Sequence, residues 1–189
     1  MSEAKKYSAI DIKKLYDADP ALITADLTPY ALKTLLGKVS DSKSDIVEIE
    51  NVHQDTWSIE EAEASQEKYK NQLNGLTYRT GAKTMGDVTF NFTIGQYDFA
   101  TKARLMGGTA SDGSWKRSRE TVDIKRCLIA LTEDDVYCVL PKAEIATREG
   151  NTDGAIGLAT VGTMLLPDNT AVAPEYWFDK DTVDKATTA

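Results

Sequence analysis

The apolar positions of this chain change period near residue 45. Before it they are spaced as in helices. Ile10, Ile12, Leu15 and Tyr16 keep a weak helical spacing, which ends at Asp19-Pro20 because a residue before proline is pushed out of the α region. Thr28-Pro29 reads as an N-cap followed by proline at the first helical position. Leu32, Leu35 and Leu36 supply one apolar face, and Gly37 closes the helix. The polar stretch 38–44 then separates a helical N-terminal arm, residues 1–44, from a β-rich domain, residues 45–189.

From Asp45 onward the period is two. Ile46, Glu48 and Glu50 alternate with Val47, Ile49 and Asn51, and the run continues through Val52 and Trp57. Residues 65–72 form a polar strand candidate, followed by Leu76, Tyr78 and Arg79. In the clearest strand Val88, Phe90, Phe92 and Ile94 share one face and Thr89, Asn91 and Thr93 the other, bracketed by Gly86 and Gly95. A helix interrupts the strands between Tyr97 and Met106, where Phe99, Ala103 and Met106 fall at helical spacing and Gly107-Gly108 supplies the stop.

A loop rich in Ser and Gly is expected over 109–120. Residues 121–131 alternate at Val122 and Ile124 and then turn continuously apolar, as a strand buried on both faces does. Residues 136–145 contain Pro141, which implies an edge strand or a bulge. Residues 155–166 place Ile156, Leu158, Met164 and Leu166 on one side, and the aromatic tail Glu175-Tyr176-Trp177-Phe178 is suited to docking on the body. The predicted fold is mainly β (α+β): two packed β-sheets, a sandwich or flattened barrel, with one flanking helix and the helical N-terminal arm.

Composition narrows the function. A chain of 189 residues is one domain, or one domain with an arm. Thirty acidic residues against 22 basic ones leave a net charge of −8, the reverse of the clustered Lys and Arg that bind phosphate by counterion release. Cys127 and Cys138 each lie in an apolar run, too far apart for a C-x-x-C pair. They read as buried structural thiols, with a disulfide open if their strands are neighbours. The N-terminus lacks the apolar core of a signal peptide, and the uncharged stretch 154–166 is too short and glycine-rich to span a bilayer. A cytoplasmic protein, or one released by lysis, with no membrane partner, is expected.

Candidate chemistry is sparse. His53 is the single histidine, and with two isolated cysteines it makes a poor protein-only zinc site. Gly108 to Ser114 has the glycine spacing of a phosphate-binding loop, but Ser114 and Trp115 stand where Lys and Ser/Thr belong. Glu149, Asn151, Asp153 and Gly154 imitate the start of a calcium loop whose closing position, Thr160, offers no carboxylate; 151–154 reads better as a hairpin turn. The acid pairs Glu60-Glu61 and Asp134-Asp135 point to opposite sides when extended and make no catalytic dyad. Asn91-Phe-Thr93 is a glycosylation sequon without a secretory signal. No catalytic, cofactor or metal site is expected. Trp115, Lys116, Arg117 and Arg119 are candidate inter-subunit contacts, read either as a solvated loop or as a surface that meets acids of another subunit.

Several scattered signatures occur in a fixed order: Asn51-Val-His-Gln-Asp-Thr-Trp57, Tyr69-Lys-Asn-Gln72, Tyr78-Arg79, the run from Gly86 to Asp98, and Met106-Gly-Gly108. Lys142-Ala-Glu144, the small-residue strand after it and Pro167 complete the set. Over residues 45–178 this order resembles the major tail tube proteins of Bacteroides-type phages and prophages. The resemblance implies two packed sheets flanked by a helix, six copies joined into a ring through their inner sheets, and rings stacked into a tube that conducts the genome. Loops and terminal arms would reach neighbouring rings. It further implies copies of itself and other tail proteins as partners, passage of DNA without specific binding, and a place in the virion tail after assembly in the host cytoplasm. Net −8, if directed inward, would repel DNA phosphates. The other readings are a tail-completion or baseplate protein, the tube of a contractile injection system, and a carbohydrate-binding β-domain with Trp57, Trp115 and Trp177 as stacking platforms.

Overall fold

A computed structural model describes residues 6–8, 11–39 and 45–187. In chain order its elements are β1 (Ile12–Ala18), a 3-10 turn (Pro20–Leu22), α1 (Pro29–Leu36), β2 (Ile46–Glu48), β3 (Ser58–Glu61), β4 (Ser65–Lys70), β5 (Thr77–Thr84) and β6 (Val88–Ile94). There follow α2 (Phe99–Met106), β7 (Thr109–Ser111), β8 (Ser114–Lys116), β9 (Lys125–Thr132), β10 (Val136–Thr152), β11 (Ala155–Met164), β12 (Tyr176–Asp179) and α3 (Lys180–Lys185). The protein is mainly β, as the alternating pattern predicts.

One eight-stranded sheet, β2-β1-β9-β10-β11-β6-β3 with β12 also on β10, organises the fold. Its 17-residue strand β10 serves two halves. Residues Val136 to Val139 lie between β9 and β12, whereas Ala143 to Thr152 pair with β11. The register against β9 shifts between Leu140 and Ala143. Pro141, which has no N–H to give a ladder, therefore marks a bulge inside a central strand and not an edge. The halves face each other across a shared core: Leu15, Leu128, Ala130, Cys138 and Leu140 against Phe90, Phe92, Ile94 and Leu158, with Leu105 of α2 beside them. Trp57 meets the ring of Phe90 edge-on at 5.2 Å. Each large side chain buried here contributes about 1.5–3 kcal/mol.

The opposite face of the first half buries a second core. Tyr16, Ile129, Leu131 and Val139 pack there with Leu32 and Leu35 of α1 and Val183 of α3. Thr28 caps α1 as its sequence predicts, its Oγ1 accepting the Ala31 N–H at 3.1 Å. The flanking helix predicted between Tyr97 and Met106 is α2, at the other core; α1, predicted within the arm, packs on this face beside α3, which the sequence pattern does not predict.

The N-terminal arm requires a larger correction. Residues 12–18 are not helical but form β1, paired with both β2 and β9. Leu15 faces one core and Tyr16 the other. A strand buried on both sides loses the polar alternation that identifies strands, so its spacing reads as a weak helix. Ile10 and most of the 38–44 stretch lie outside the described residues.

The expected loop over 109–120 contains the hairpin β7–β8, turned by Asp112 and Gly113 at φ +45° and +72°. The turn predicted at 151–154 is present: Asp153 and Gly154, at φ +46° and +81°, join β10 to β11. Both follow the Asp-Gly preference of two-residue hairpins. Residues 121–124 stay outside any strand, and Val122 is exposed. In β11 Leu158 is buried, but Ile156 lies near the hairpin end and Leu166 past the strand, both exposed. The aromatic tail docks as β12.

Candidate assembly interface

The second half of the sheet, β10-β11-β6-β3, ends in two open edges. On one side β3 pairs only with β6. Ala62 N–H donates to Asp87 at 3.0 Å, so alternate residues Ile59 and Glu61 turn their backbone groups away from the sheet. On the other side β9 leaves β10 at Glu144, its last partner being Lys125. Ile145 N–H still donates to Ile124 at 2.8 Å. Beyond it the same alternation directs the backbone of Thr147 and Glu149 outward, where no strand among the described residues pairs with them.

Next to this edge runs a strap, residues 117–124, joined to β10 at Ile124 and elsewhere separated from it by a groove of about 470 Å³ lined by Arg117, Arg119, Glu144 and Thr147 together with Leu105 and Met106. The hairpin β7–β8 anchors the strap. Gly108 permits this, since a Cβ there would stand 2.2 Å from the Lys116 carbonyl. Trp115 is half-buried and donates from Nε1 to the Gly107 carbonyl at 2.9 Å. Lys102 lies over its ring at 4.2 Å and Arg117 at 5.4 Å. Both cations also bind Glu149, Lys102 in close contact and Arg117 at 3.4 Å. The hydrogen bond from Lys102, helped by the two positive charges, holds the Glu149 carboxyl below its ordinary range. Of the four residues predicted as contacts, Trp115 and Arg117 are thus engaged within their own chain. Lys116 and Arg119 are exposed, with no partner among the described residues.

The hairpin β4–β5 pairs only with itself. Leu73 is 95% exposed, and Leu76, Tyr78 and Met85 are also bare. Its supports are polar and internal, among them Arg79 over the Tyr69 ring at 4.7 Å, Gln66 Nε2 donating to the Gly81 carbonyl at 3.0 Å, and the turn bonds from Gly75 N–H to Asn71 and from Asn71 N–H to Leu76, both at 2.8 Å. At the hairpin's base a Cβ on Gly86 would come within 1.7 Å of the Ala62 carbonyl, so only glycine fits. A two-stranded hairpin without a core is marginal in water.

The remaining sequence candidates do not converge. His53 Nε2 lies 2.8 Å from Asp153 Oδ2, tying the 51–57 segment to the β10–β11 turn. Trp57 belongs to the core's edge, Trp115 is covered by cations, and Trp177 is exposed on β12, so the three tryptophans share no surface. Cys127 and Cys138 are free and buried, one in each core and on opposite faces of adjacent strands. Among the described residues no three His, Cys, Asp or Glu side chains form a metal-holding group, and no helix is long and apolar enough to cross a membrane.

Sequence reasoning missed Asp17. Its carboxylate, 2% exposed, accepts from Arg126 Nε at 2.5 Å and from Arg104 at 3.4 Å, linking β1, β9 and α2. Burial raises its pKa, and the two arginines oppose that rise. Asp17 and Arg126 lie 109 residues apart, and neither is unusual in its local sequence. No family model matches the chain, and no curated protein is significantly similar to it.

Proposed function

We propose that this chain is a structural subunit that assembles with copies of itself into stacked rings, the tail tube of a phage, through which the genome is delivered. It acts without catalysis. Its partners are other copies of itself and the proteins at the tube's ends, and its place is the virion tail after assembly in the host cytoplasm. One observation carries the reading: a four-strand half-sheet, β10-β11-β6-β3, antiparallel throughout and open at both edges. Rotation about a ring axis keeps strand direction. Because β3 runs opposite to β10, each copy's β3 would meet the next copy's β10 antiparallel. Such heterologous contacts close into rings, and closure removes the exposed edges. The order of signature residues described above supports the same reading.

The outer face of this half-sheet suits a wall along which DNA slides. It bears Ser58, Thr89, Asn91 and Thr93 on β3 and β6, with Ala159, Val161 and Thr163 opposite them on β11. Glu60, Glu144 and Arg148 supply its charge. The chain's acidity is therefore not concentrated on this face, and weak adhesion comes from short, mostly uncharged side chains. The bare hairpin β4–β5 is the element suited to reach an adjacent ring.

Negative-stain microscopy with light scattering on the concentrated protein tests the reading. Rings or hollow tubes are expected. A particle that stays monomeric across a series of concentrations and crowding agents overturns it.

A further inference from the structure

The two open edges differ in charge. The β3 edge carries Glu60 and Glu61, and Glu63 follows two residues on. All three are exposed, and Glu61 and Glu63 have no partner among the described residues. Beside the β10 edge stand Lys116, the last residue of β8, and Arg117 and Arg119 of the strap, of which only the Arg117 side chain is engaged within the chain. The strap's own acids are Glu120, directly after Arg119, and Asp123 near the β9 end.

We infer that Lys116 and Arg119, at the β8 end of the strap, are the receiving surface for the acidic β3 edge of a second copy. This rests on the ring reading above, which it deepens by naming the surfaces that meet and the force that selects them. When one copy's β3 joins the next copy's β10, the stagger required of a closed barrel leaves the strap flanking the incoming strand. In its own sheet Glu61 is level with Ala143, while Arg117 reaches Glu149, so a stagger of about four to six residues, about 13–20 Å, brings Glu61 and Glu63 level with Lys116 and Arg119. Opposite charges steer the approach, whereas two β3 edges, both acidic, repel. The β3 acids thereby disfavour the symmetric β3-to-β3 pairing that an unprotected edge would otherwise permit.

Charge reversal tests the pairing. K116E/R119E and E61K/E63K each place like charges across the contact, and each is expected to raise the concentration needed for assembly at least about tenfold. The quadruple variant restores opposite signs and is expected to assemble within about threefold of the unaltered chain. All four residues are exposed, and thermal unfolding checks that each variant is folded. In a second arm, E61C/R119C is oxidised after assembly. Within one chain β3 and β10 are separated by β11 and β6, about 14 Å of sheet, beyond the reach of a disulfide. Only chain-to-chain links can form, and a ladder of linked chains is expected.

Assembly of both reversed variants like the unaltered chain overturns the inference while leaving the ring reading intact. So does a folded quadruple variant that stays monomeric, or assembled E61C/R119C that yields no linked chains. If the unaltered chain itself does not assemble, the ring reading fails and this inference with it.

Discussion

Replacing Arg126 by Met leaves Asp17, 2% exposed, with one cation at 3.4 Å in place of two. A buried charge stripped of its main partner costs about 3–5 kcal/mol, much more than the intact pair contributes, because the desolvation penalty remains after the attraction is gone. Against a total domain stability of about 5–15 kcal/mol, that is a large fraction. For a chain of this size it lowers the Tm by about 6–20 °C. The exposed pair Lys13–Asp135, with side chains 44% and 42% exposed at 2.8 Å, provides the contrast. Lys13→Ala is expected to cost under about 1 kcal/mol, because water already solvates both charges. In D17L/R126M both buried charges are gone, and Arg104, 26% exposed, can turn to solvent. The double variant is therefore expected to be more stable than R126M alone. Urea unfolding followed by circular dichroism, with the slope unchanged between variants, measures each cost. A loss below about 1 kcal/mol for R126M, or strictly additive losses in the D17L/R126M cycle, would refute the reasoning.

Three further outcomes follow from the fold. Deleting residues 1–44 removes β1 from between β2 and β9, so the remainder is expected to lack a cooperative unfolding transition; a soluble, cooperatively melting fragment would show that the segment is a dispensable arm. Asp98 caps α2 by accepting the Thr101 N–H at 2.7 Å, and Asp98→Ala is expected to cost about 1 kcal/mol. That same hydrogen bond lowers the Asp98 carboxyl from its ordinary 3.8, as Lys102 lowers Glu149 from 4.5. Their stabilisation is therefore present above those values and lost as pH falls through the lower folded ones. Chemical unfolding measured across that acid range should show the loss, and a flatter slope in D98A. Burial pushes Cys138 up to about 12 and Cys127 up as well, so a thiol reagent at neutral pH should label neither in the native protein and both after denaturation. Rapid labelling of the native protein would contradict their burial.

Much of the fold is legible in the chain because alternation is a property of the extended backbone itself. Successive side chains on a strand point to opposite faces, so Val88 to Ile94 reveals both its core face and its polar face without any neighbour. The caps Thr28 and Asp98 and the Asp-Gly turns are equally local, since each satisfies backbone groups or tolerates positive φ within a few residues. The basic run after Trp115 and the acids of β3 are visible as charges in the sequence.

What the sequence does not reveal is which strands become neighbours. Residues 15–18 have two buried faces because β1 lies between β2 and β9 with a core on each side, and Asp17 is tolerated there only because Arg104 and Arg126 arrive from distant parts of the chain. The bulge at Pro141 turns one strand into a member of two half-sheets. That bend leaves the β10 edge open beside the strap and sets it across the sheet from the acidic β3 edge. Local geometry determined the faces of the strands. Pairing between residues far apart in sequence decided which faces became core and which edges were left without a partner.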